Sequence, residues 1–150
     1  MITFLRTDSR HPEFIKLVQK LDNELAIRDG EDHDFYHQFN NIDTLKHALV
    51  AYFNDVPIGC GAIKSFNDTS VEVKRMYVLP QHRKKGVAKS LITELETWAK
   101  ELGYMRCVLE TGKKQTEAMH LYHKQGYTIL PNYGPYQGVE NSVCFEKIIT

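Results

Sequence analysis

A run of positive charge stands at the start of one predicted helix. The stretch RKKGVAKS places Arg83–Lys85 directly before Gly86 and contains no acidic residue. A helix N-terminus already carries about half a positive charge and several unpaired N–H groups, so Asp, Glu, Ser or Thr is the usual choice there. Gly86 and Ala88 are small enough to let a ligand approach the backbone. The pattern favours a pyrophosphate-type anion site, and solvated charge at a loop end is the alternative.

Glu72 is a second residue whose surroundings could support chemistry. It lies between two valines in the stretch SVEVKRM. Burial in a central strand would raise the pKa of this carboxyl toward neutrality and suit it as a general base. On the sheet surface it would instead form an ordinary ion pair with Lys74 or Arg75. The sequence leaves both interpretations open.

Two better-known phosphate-binding motifs do not fit. RKKGVAKS ends in Lys89 and Ser90 like a Walker A loop, but Arg83 and Ala88 stand where that motif requires glycine. GCGAIK, residues 59–64, begins like a dinucleotide fingerprint but has Lys64 in place of the last glycine. We interpret its glycines as strand positions that relieve crowding or mark a bulge.

Composition limits the class of protein. The 150 residues match one domain, and 19 basic residues against 19 acidic ones give no overall field to recruit nucleic acid or an anionic membrane. Three dispersed cysteines predict neither a disulfide framework nor a zinc cluster. No apolar run reaches membrane-spanning length, and the N-terminal residues do not resemble a signal peptide. We expect a cytoplasmic protein with no nucleic-acid or membrane partner.

Hydrophobic spacing predicts the elements that position these residues. Strands are predicted at 2–7, 47–53, 56–66, 70–78, 105–111, 127–130 and 142–149, and helices at 8–29, 86–102 and 114–125. Asn54-Asp55 predicts a two-residue hairpin turn. The strand, helix and strand over 70–111 form a βαβ unit with parallel strands, and the flanking hairpins are antiparallel. The predicted fold is α/β (α+β), a mixed, mostly antiparallel central sheet with a βαβ core flanked by helices.

Two motifs resemble those of the GNAT superfamily of N-acetyltransferases. YVLPQHRKKGVA is similar to motif A, whose core [Q/R]-x-x-G-x-[G/A] is matched by Arg83, Gly86 and Ala88. QTEAMHLYHKQGY resembles the family's N-x-x-A-x-x-L-Y-x-x-x-G-[F/Y], with Gln115 where asparagine is common. Five positions of that second motif match: Ala118, Leu121, Tyr122, Gly126 and Tyr127. The resemblance covers roughly residues 45–130 and implies a GNAT-like fold.

The resemblance implies an enzyme that transfers an acetyl group from acetyl-CoA to an amine. The CoA pyrophosphate would bind the loop amides, and the pantetheine would pair with the preceding strand. The implied acetyl-CoA contacts are Met76, Tyr77, Val78, Arg83, Lys84, Lys85, Gly86, Val87, Ala88, Lys89 and Gln115. Both interactions use backbone, so loop shape should matter more than side chains, although the three cations could pair with phosphates.

The resemblance also suggests two catalytic residues. Glu72 matches a position that carries the general base in some family members, while others use water. Tyr122 matches the tyrosine that protonates the departing thiolate. A core tyrosine with its hydroxyl at the rim is the alternative for Tyr122.

Two segments are expected to form the acceptor site. Residues 28–40, RDGEDHDFYHQFN, mix carboxylates with aromatics, and Asp34 and Phe35 would attract a cationic amine. An amphipathic helical turn explains the same pattern. Residues 131–142 are too long for a tight turn and would place Tyr133 and Tyr136 on the opposite wall. We expect a small amine acceptor, and a homodimer is possible.

Other chemistries are less well supported. The histidine pairs His33/His37 and His120/His123 belong to no complete metal-ligand motif, so no metal is expected. A cysteine acyl-enzyme would need a base, and none is evident near the thiols of Cys60 or Cys107. Two other functions of the same fold stay open, namely a non-catalytic acyl-CoA sensor and an acetyltransferase for protein lysines or N-termini.

Overall fold

The computed structural model describes residues 1–29 and 45–150, which form a mixed sheet flanked by helices. The strands are β1 Ile2–Thr7, β2 His47–Phe53, β3 Val56–Ser65, β4 Ser70–Val78, β5 Arg106–Gly112, β6 Thr128–Leu130 and β7 Ser142–Ile148. The helices are α1 Pro12–Asp29, α2 Val87–Glu101 and α3 Thr116–Lys124. The seven-stranded sheet has the order β1-β2-β3-β4-β5-β7-β6. The predicted fold class is confirmed.

The chain forms two compact units. The first contains Met1–Lys64, apart from the undescribed residues 30–44, together with Val73–Leu95. The second contains Ser65–Glu72 and Glu96–Thr150. Strand β4 and helix α2 contribute residues to both units. In the described part of the chain no helix has the length and apolar character needed to cross a membrane.

The first unit begins with antiparallel pairing. Strand β2 pairs with β1 and β3, and the β2–β3 turn is the predicted Asn54-Asp55, with φ of 50° and 69°. Two residues with positive φ give the turn geometry that suits the right-handed twist of a hairpin. Helix α1 packs Phe14, Leu17 and Leu21 into the core of this unit. Its spacing of apolar residues predicted this buried face.

Close packing explains the glycine pair of β3. A Cβ built on Gly59 would lie 2.9 Å from the Tyr77 carbonyl oxygen and 3.1 Å from Leu91 Cδ1. A Cβ built on Gly61 would lie 2.8 Å from Leu95 Cδ1. The glycines therefore relieve crowding, as the sequence indicated, and they let α2 lie directly on the sheet.

The second unit contains the parallel pair of the βαβ unit. Strand β4 pairs with β5 in parallel over Ser70–Glu72, with Glu72 opposite Val108. Strand β7 then pairs antiparallel with both β5 and β6. A buried polar group stabilises this unit, because Glu96 accepts a hydrogen bond from the Tyr127 hydroxyl at 2.9 Å and pairs with Lys147 at 2.9 Å.

The close contact at Gly59 predicts the effect of adding one methyl group. Gly59→Ala should lower the free energy of unfolding by about 1–3 kcal/mol, because the Tyr77 carbonyl belongs to a strand and cannot move aside cheaply. Gly112→Ala is the control, since the nearest atom to a Cβ there is 3.6 Å away. Urea unfolding of both variants measures the difference. Equal losses of stability would contradict the packing argument.

Candidate active site

The loop before α2 has the backbone shape of an anion site. Strand β4 ends at Val78, a 3-10 turn covers Pro80–His82, and Lys84 and Gly86 have φ of 63° and 84°. The first helical hydrogen bond runs from Ser90 N to the Gly86 carbonyl at 3.0 Å. Successive N–H groups in such a turn converge on one point, and the helix dipole adds positive potential there.

The N–H groups of this loop are available to a ligand. No backbone N–H of residues 84–89 donates to another described residue outside regular helical bonding, and the first turn of α2 contains no acid. Lys84, Lys85 and Lys89 are exposed, and nothing lies within 4 Å of a Cβ built on Gly86. The arrangement can bind a pyrophosphate through backbone amides, with lysine side chains around it.

The Arg83 side chain has a different role from the neighbouring lysines. Its Nε donates to the Val78 carbonyl at 2.8 Å, and its Nη2 pairs with Glu24 of α1 at 2.8 Å. Its guanidinium carbon also lies 5.4 Å from the centre of the Tyr77 ring. Arg83 therefore holds the end of β4 to α1, and a phosphate contact of its side chain would compete with these bonds.

The β4 residues expected to contact pantetheine have their side chains packed in the first unit. Tyr77 and Val78 are each 7 % exposed, and the Met76 sulfur lies 2.8 Å from the position of a Cβ built on Gly61. The side chains of Tyr77 and Val78 are therefore largely covered, so these two residues would contact a ligand mainly through their backbone. The contacts of Met76–Val78 and of the loop residues with acetyl-CoA stay predictions.

Glu72 is half-buried in the second unit and bonds to a tyrosine. The Tyr133 hydroxyl donates to Glu72 Oε2 at 2.7 Å. Burial, and then the charge of Glu72, raise the pKa of Tyr133 above its ordinary value, so the phenol keeps its proton and remains a donor. Arg75, one of the two cations that the sequence offered as a partner of Glu72, pairs with Asp22 instead.

Tyr133 and Tyr136, the two residues predicted to face the acceptor, pack with other aromatic side chains of the second unit. The Tyr133 ring packs edge-on against Phe66, with 4.9 Å between centroids, and lies 5.9 Å from the Tyr136 ring. Tyr136 is 4 % exposed and sits in the 3-10 turn Gly134–Tyr136. Tyr133 thus orients Glu72, a contact that spacing along the chain could not indicate.

Tyr122 is a buried residue of α3. Its ring centroid lies 5.7 Å from that of Tyr127 and 6.0 Å from that of Phe145. Burial, with a smaller effect of the Glu110 charge, raises the pKa of Tyr122 above its ordinary value. The hydroxyl is therefore protonated at neutral pH, as a general acid must be.

Glu110 is a carboxylate whose charge acts on Tyr122, and the sequence predictions did not include it. It lies on β5, accepts a hydrogen bond from Ser142 Oγ at 2.7 Å, and its charge acts on Tyr122. The stretch VLETG shows the same signal as Glu72, a carboxylate next to apolar strand residues. Neither of the two motifs covers this position, so Glu110 was not among the predicted site residues.

The other residues predicted to bind acetyl-CoA, the acceptor or a metal lie partly inside and partly outside the described residues. Gln115 precedes α3 and is half-buried, and its side chain makes no capping hydrogen bond. Asp34 and Phe35, like His33 and His37, lie outside the described residues. Within residues 1–29 and 45–150, no three potential metal-ligating side chains form a group.

The cysteines are buried thiols without a disulfide among them. Burial raises the pKa of Cys60 to about 12 and those of Cys107 and Cys144 to about 11. Very little thiolate exists at neutral pH under these conditions, so these side chains are poor nucleophiles.

Comparisons with known proteins agree with this geometry. The sequence model of the Acetyltransferase (GNAT) family matches residues 13–127. An IAA acetyltransferase of Azospirillum brasilense is 30 % identical, with 97 % of each chain covered. A Klebsiella pneumoniae structure assigned as an acyl-CoA N-acyltransferase is 29 % identical, with a TM-score of 0.83, and the match covers 100 % of this chain and 99 % of that one.

A third comparison adds a liganded structure of the same fold. A GNAT acetyltransferase of Elizabethkingia anophelis, solved with acetyl-CoA bound, has a TM-score of 0.71 at 19 % identity and covers 98 % of this chain and 97 % of its own. The family match spans both motifs and the elements that hold them. This chain therefore belongs to the GNAT family of acetyltransferases.

Proposed function

We propose that this acetyltransferase moves the acetyl group of acetyl-CoA to a primary amine of a small molecule, directly within a ternary complex. The observation that carries the proposal is the set of available N–H groups at residues 84–89, with no acid in the first turn of α2. Acetyl-CoA brings the pyrophosphate that such a loop binds. Family relatives solved with CoA or acetyl-CoA bound support this choice of co-substrate.

Glu72 is the proposed general base. The attacking amine must lose a proton as its nitrogen bonds to the thioester carbonyl carbon, and a carboxylate can take that proton directly or through a water molecule. Tyr133 donates to Oε2 of Glu72 and so fixes the orientation of the carboxylate. Tyr133 is thus a positioning residue for the base.

Tyr122 is the proposed general acid. When the carbon–sulfur bond breaks, the sulfur leaves with the electron pair of that bond and needs a proton. The Tyr122 hydroxyl can supply it, because burial keeps it protonated. One proton thus leaves the amine and one reaches the thiol, so the overall reaction gives an amide and free CoA.

A screen for thiol release tests the proposed function. The protein is mixed with acetyl-CoA and a panel of small amines, and in a separate reaction with IAA, the compound for which the Azospirillum relative is named. We expect at least one amine to release free thiol above background. Thiol release only with peptides would favour a protein acetyltransferase, and no release with any acceptor would favour a sensor.

The loop predicts which change weakens acetyl-CoA binding. Gly86→Val should reduce affinity tenfold or more, because a β-branched residue resists a φ of 84° and the loop amides would turn away. Lys84→Ala should change affinity by less than about threefold, because it removes one exposed charge. Gly103→Val, at a φ of 95° beyond the other end of α2, controls for backbone strain alone. Calorimetric titration decides, and equal losses at Gly86 and Lys84 would refute the backbone argument.

The base and its partner predict a graded loss of rate. Glu72→Gln should lower kcat by about 100-fold or more, the usual effect of removing a general base. Tyr133→Phe should lower kcat by about tenfold, because Glu72 loses one hydrogen bond that orients it. Tyr52→Phe is the matched control, since Tyr52 donates a similar bond to Glu13. Steady-state rates with saturating acetyl-CoA give the comparison. Equal effects at Tyr52 and Tyr133 would remove the positioning role.

The raised pKa of Tyr122 predicts the alkaline limb of the pH profile. An acid whose pKa lies above the ordinary tyrosine value of about 10 keeps its proton throughout the range below that pH. The kcat of the wild-type enzyme should therefore not fall as pH rises from about 8 to 10. Tyr122→Phe should lower kcat about 100-fold across the range, and Tyr104→Phe should not. A decline centred near pH 8, or an unchanged rate in Tyr122→Phe, would contradict the assignment.

A further inference from the structure

Arg75 has a backbone conformation that its residue type does not favour. Its φ is 59° although it lies inside strand β4, whereas the other described non-glycine residues with positive φ lie in turns or loops. A left-handed conformation in the middle of a strand is strained for a residue with a Cβ, and such strain is common at binding and catalytic sites. Glycine would adopt this φ without strain, so the presence of arginine points to a role for its side chain.

The Arg75 side chain is buried but incompletely bonded. Its side chain is 1 % exposed, and Nη2 pairs with Asp22 of α1. Nε and Nη1 are both buried and have no hydrogen-bond partner among the described residues. Buried guanidinium groups normally satisfy all their donors, so two open donors on one arginine need an explanation.

Arg83 is an arginine of the same unit whose guanidinium makes more contacts within the protein. It also pairs with an acid of α1, Glu24, but its Nε donates to the Val78 carbonyl and its guanidinium packs over Tyr77. If Arg75 served only to form an ion pair, we would expect its remaining donors to bond to the protein, as Nε of Arg83 does. The difference indicates that Nε and Nη1 of Arg75 are kept for another molecule.

The surroundings of Arg75 specify the chemistry of that molecule. The guanidinium is always charged, and its strongest partners are carboxylate or phosphate oxygens. Asp22 already balances its charge and is 29 % exposed, whereas Arg75 is 1 % exposed, so a ligand would approach the guanidinium past Asp22. If a ligand brought only a carboxylate, the group of Arg75, Asp22 and ligand would carry one net negative charge in a partly buried position. A ligand that also carries an ammonium group restores neutrality.

We propose that Arg75 binds a carboxylate group of the amine acceptor, so that the acceptors of this enzyme are amino acids or related amines that carry a carboxylate. The proposal rests on the proposed function, because it identifies the acceptor of that reaction. Asp22 orients the guanidinium and attracts the ammonium form in which the acceptor arrives. Arg75 acts here in recognition and takes no part in proton transfer.

Matched amines test this recognition. Lysine and cadaverine, tyrosine and tyramine, and histidine and histamine differ within each pair by one carboxylate. The wild-type enzyme should favour the carboxylated member of at least one pair by about tenfold or more in kcat/KM, the usual contribution of a charge-assisted hydrogen bond. Arg75→Gln should abolish that preference, and Arg75→Lys should retain part of it. Arg106→Gln, which removes an ion pair to Glu146, should retain all of it.

A binding measurement keeps the test independent of turnover and of variant folding. The Nε–H resonance of Arg75 in the wild-type protein should move on titration with the carboxylated amine and stay in place with its partner. No preference in the wild type, equal losses for both amines in Arg75→Gln, or a resonance that does not move would each overturn the proposal. If no amine releases thiol, the proposed function fails, while the resonance titration still decides whether Arg75 binds a carboxylate.

Discussion

The close approach of α2 to β3 is the constraint on which the coenzyme loop depends. Gly59 and Gly61 leave the space that the Leu91 and Leu95 side chains occupy, so the helix axis is fixed against the sheet. The N-terminal end of α2 then has one position relative to the end of β4. Its available N–H groups and positive dipole end are preorganised, and a bound anion does not have to order them first. In the proposed function, the pyrophosphate of acetyl-CoA supplies the negative charge that the start of this helix lacks.

Two arginines connect β4 and the loop after it to α1, and they do so differently. The Arg83 guanidinium donates to the Val78 carbonyl and pairs with Glu24, whereas the Arg75 guanidinium bonds only to Asp22 among the described residues. Asp22 and Glu24 lie two residues apart in the second half of α1. This half of the helix therefore has two carboxylates that orient cationic groups. Glu24 holds Arg83 at the start of the loop, and Asp22 orients the Arg75 guanidinium, which we propose as a carboxylate-binding group.

The sequence predicted features that depend on neighbouring residues. Hydrophobic period located the strands and helices, the Asn54-Asp55 dipeptide located the hairpin turn, and the missing acid in RKKGVAKS indicated an anion site. It could not predict partners that folding brings together from far apart. Arg83 meets Glu24 across 59 residues, and Tyr133 meets Glu72 across 61. Local patterns do not encode such pairs, so the bond between the Tyr133 hydroxyl and Glu72 was not among the predicted contacts.

The hydrogen bonds of three other tyrosines support the choice of Tyr122 as the proposed general acid. Tyr52, Tyr127 and Tyr133 each donate a hydrogen bond to a glutamate, respectively Glu13, Glu96 and Glu72. A phenol bound in this way has its proton directed at the protein, and releasing it elsewhere would leave a buried carboxylate without its donor. Among the described residues, Tyr122 donates to no such acceptor and owes its raised pKa first to burial. Burial keeps the proton on Tyr122 without directing it at a protein group, and a departing thiolate offers the acceptor that the other three tyrosines already have.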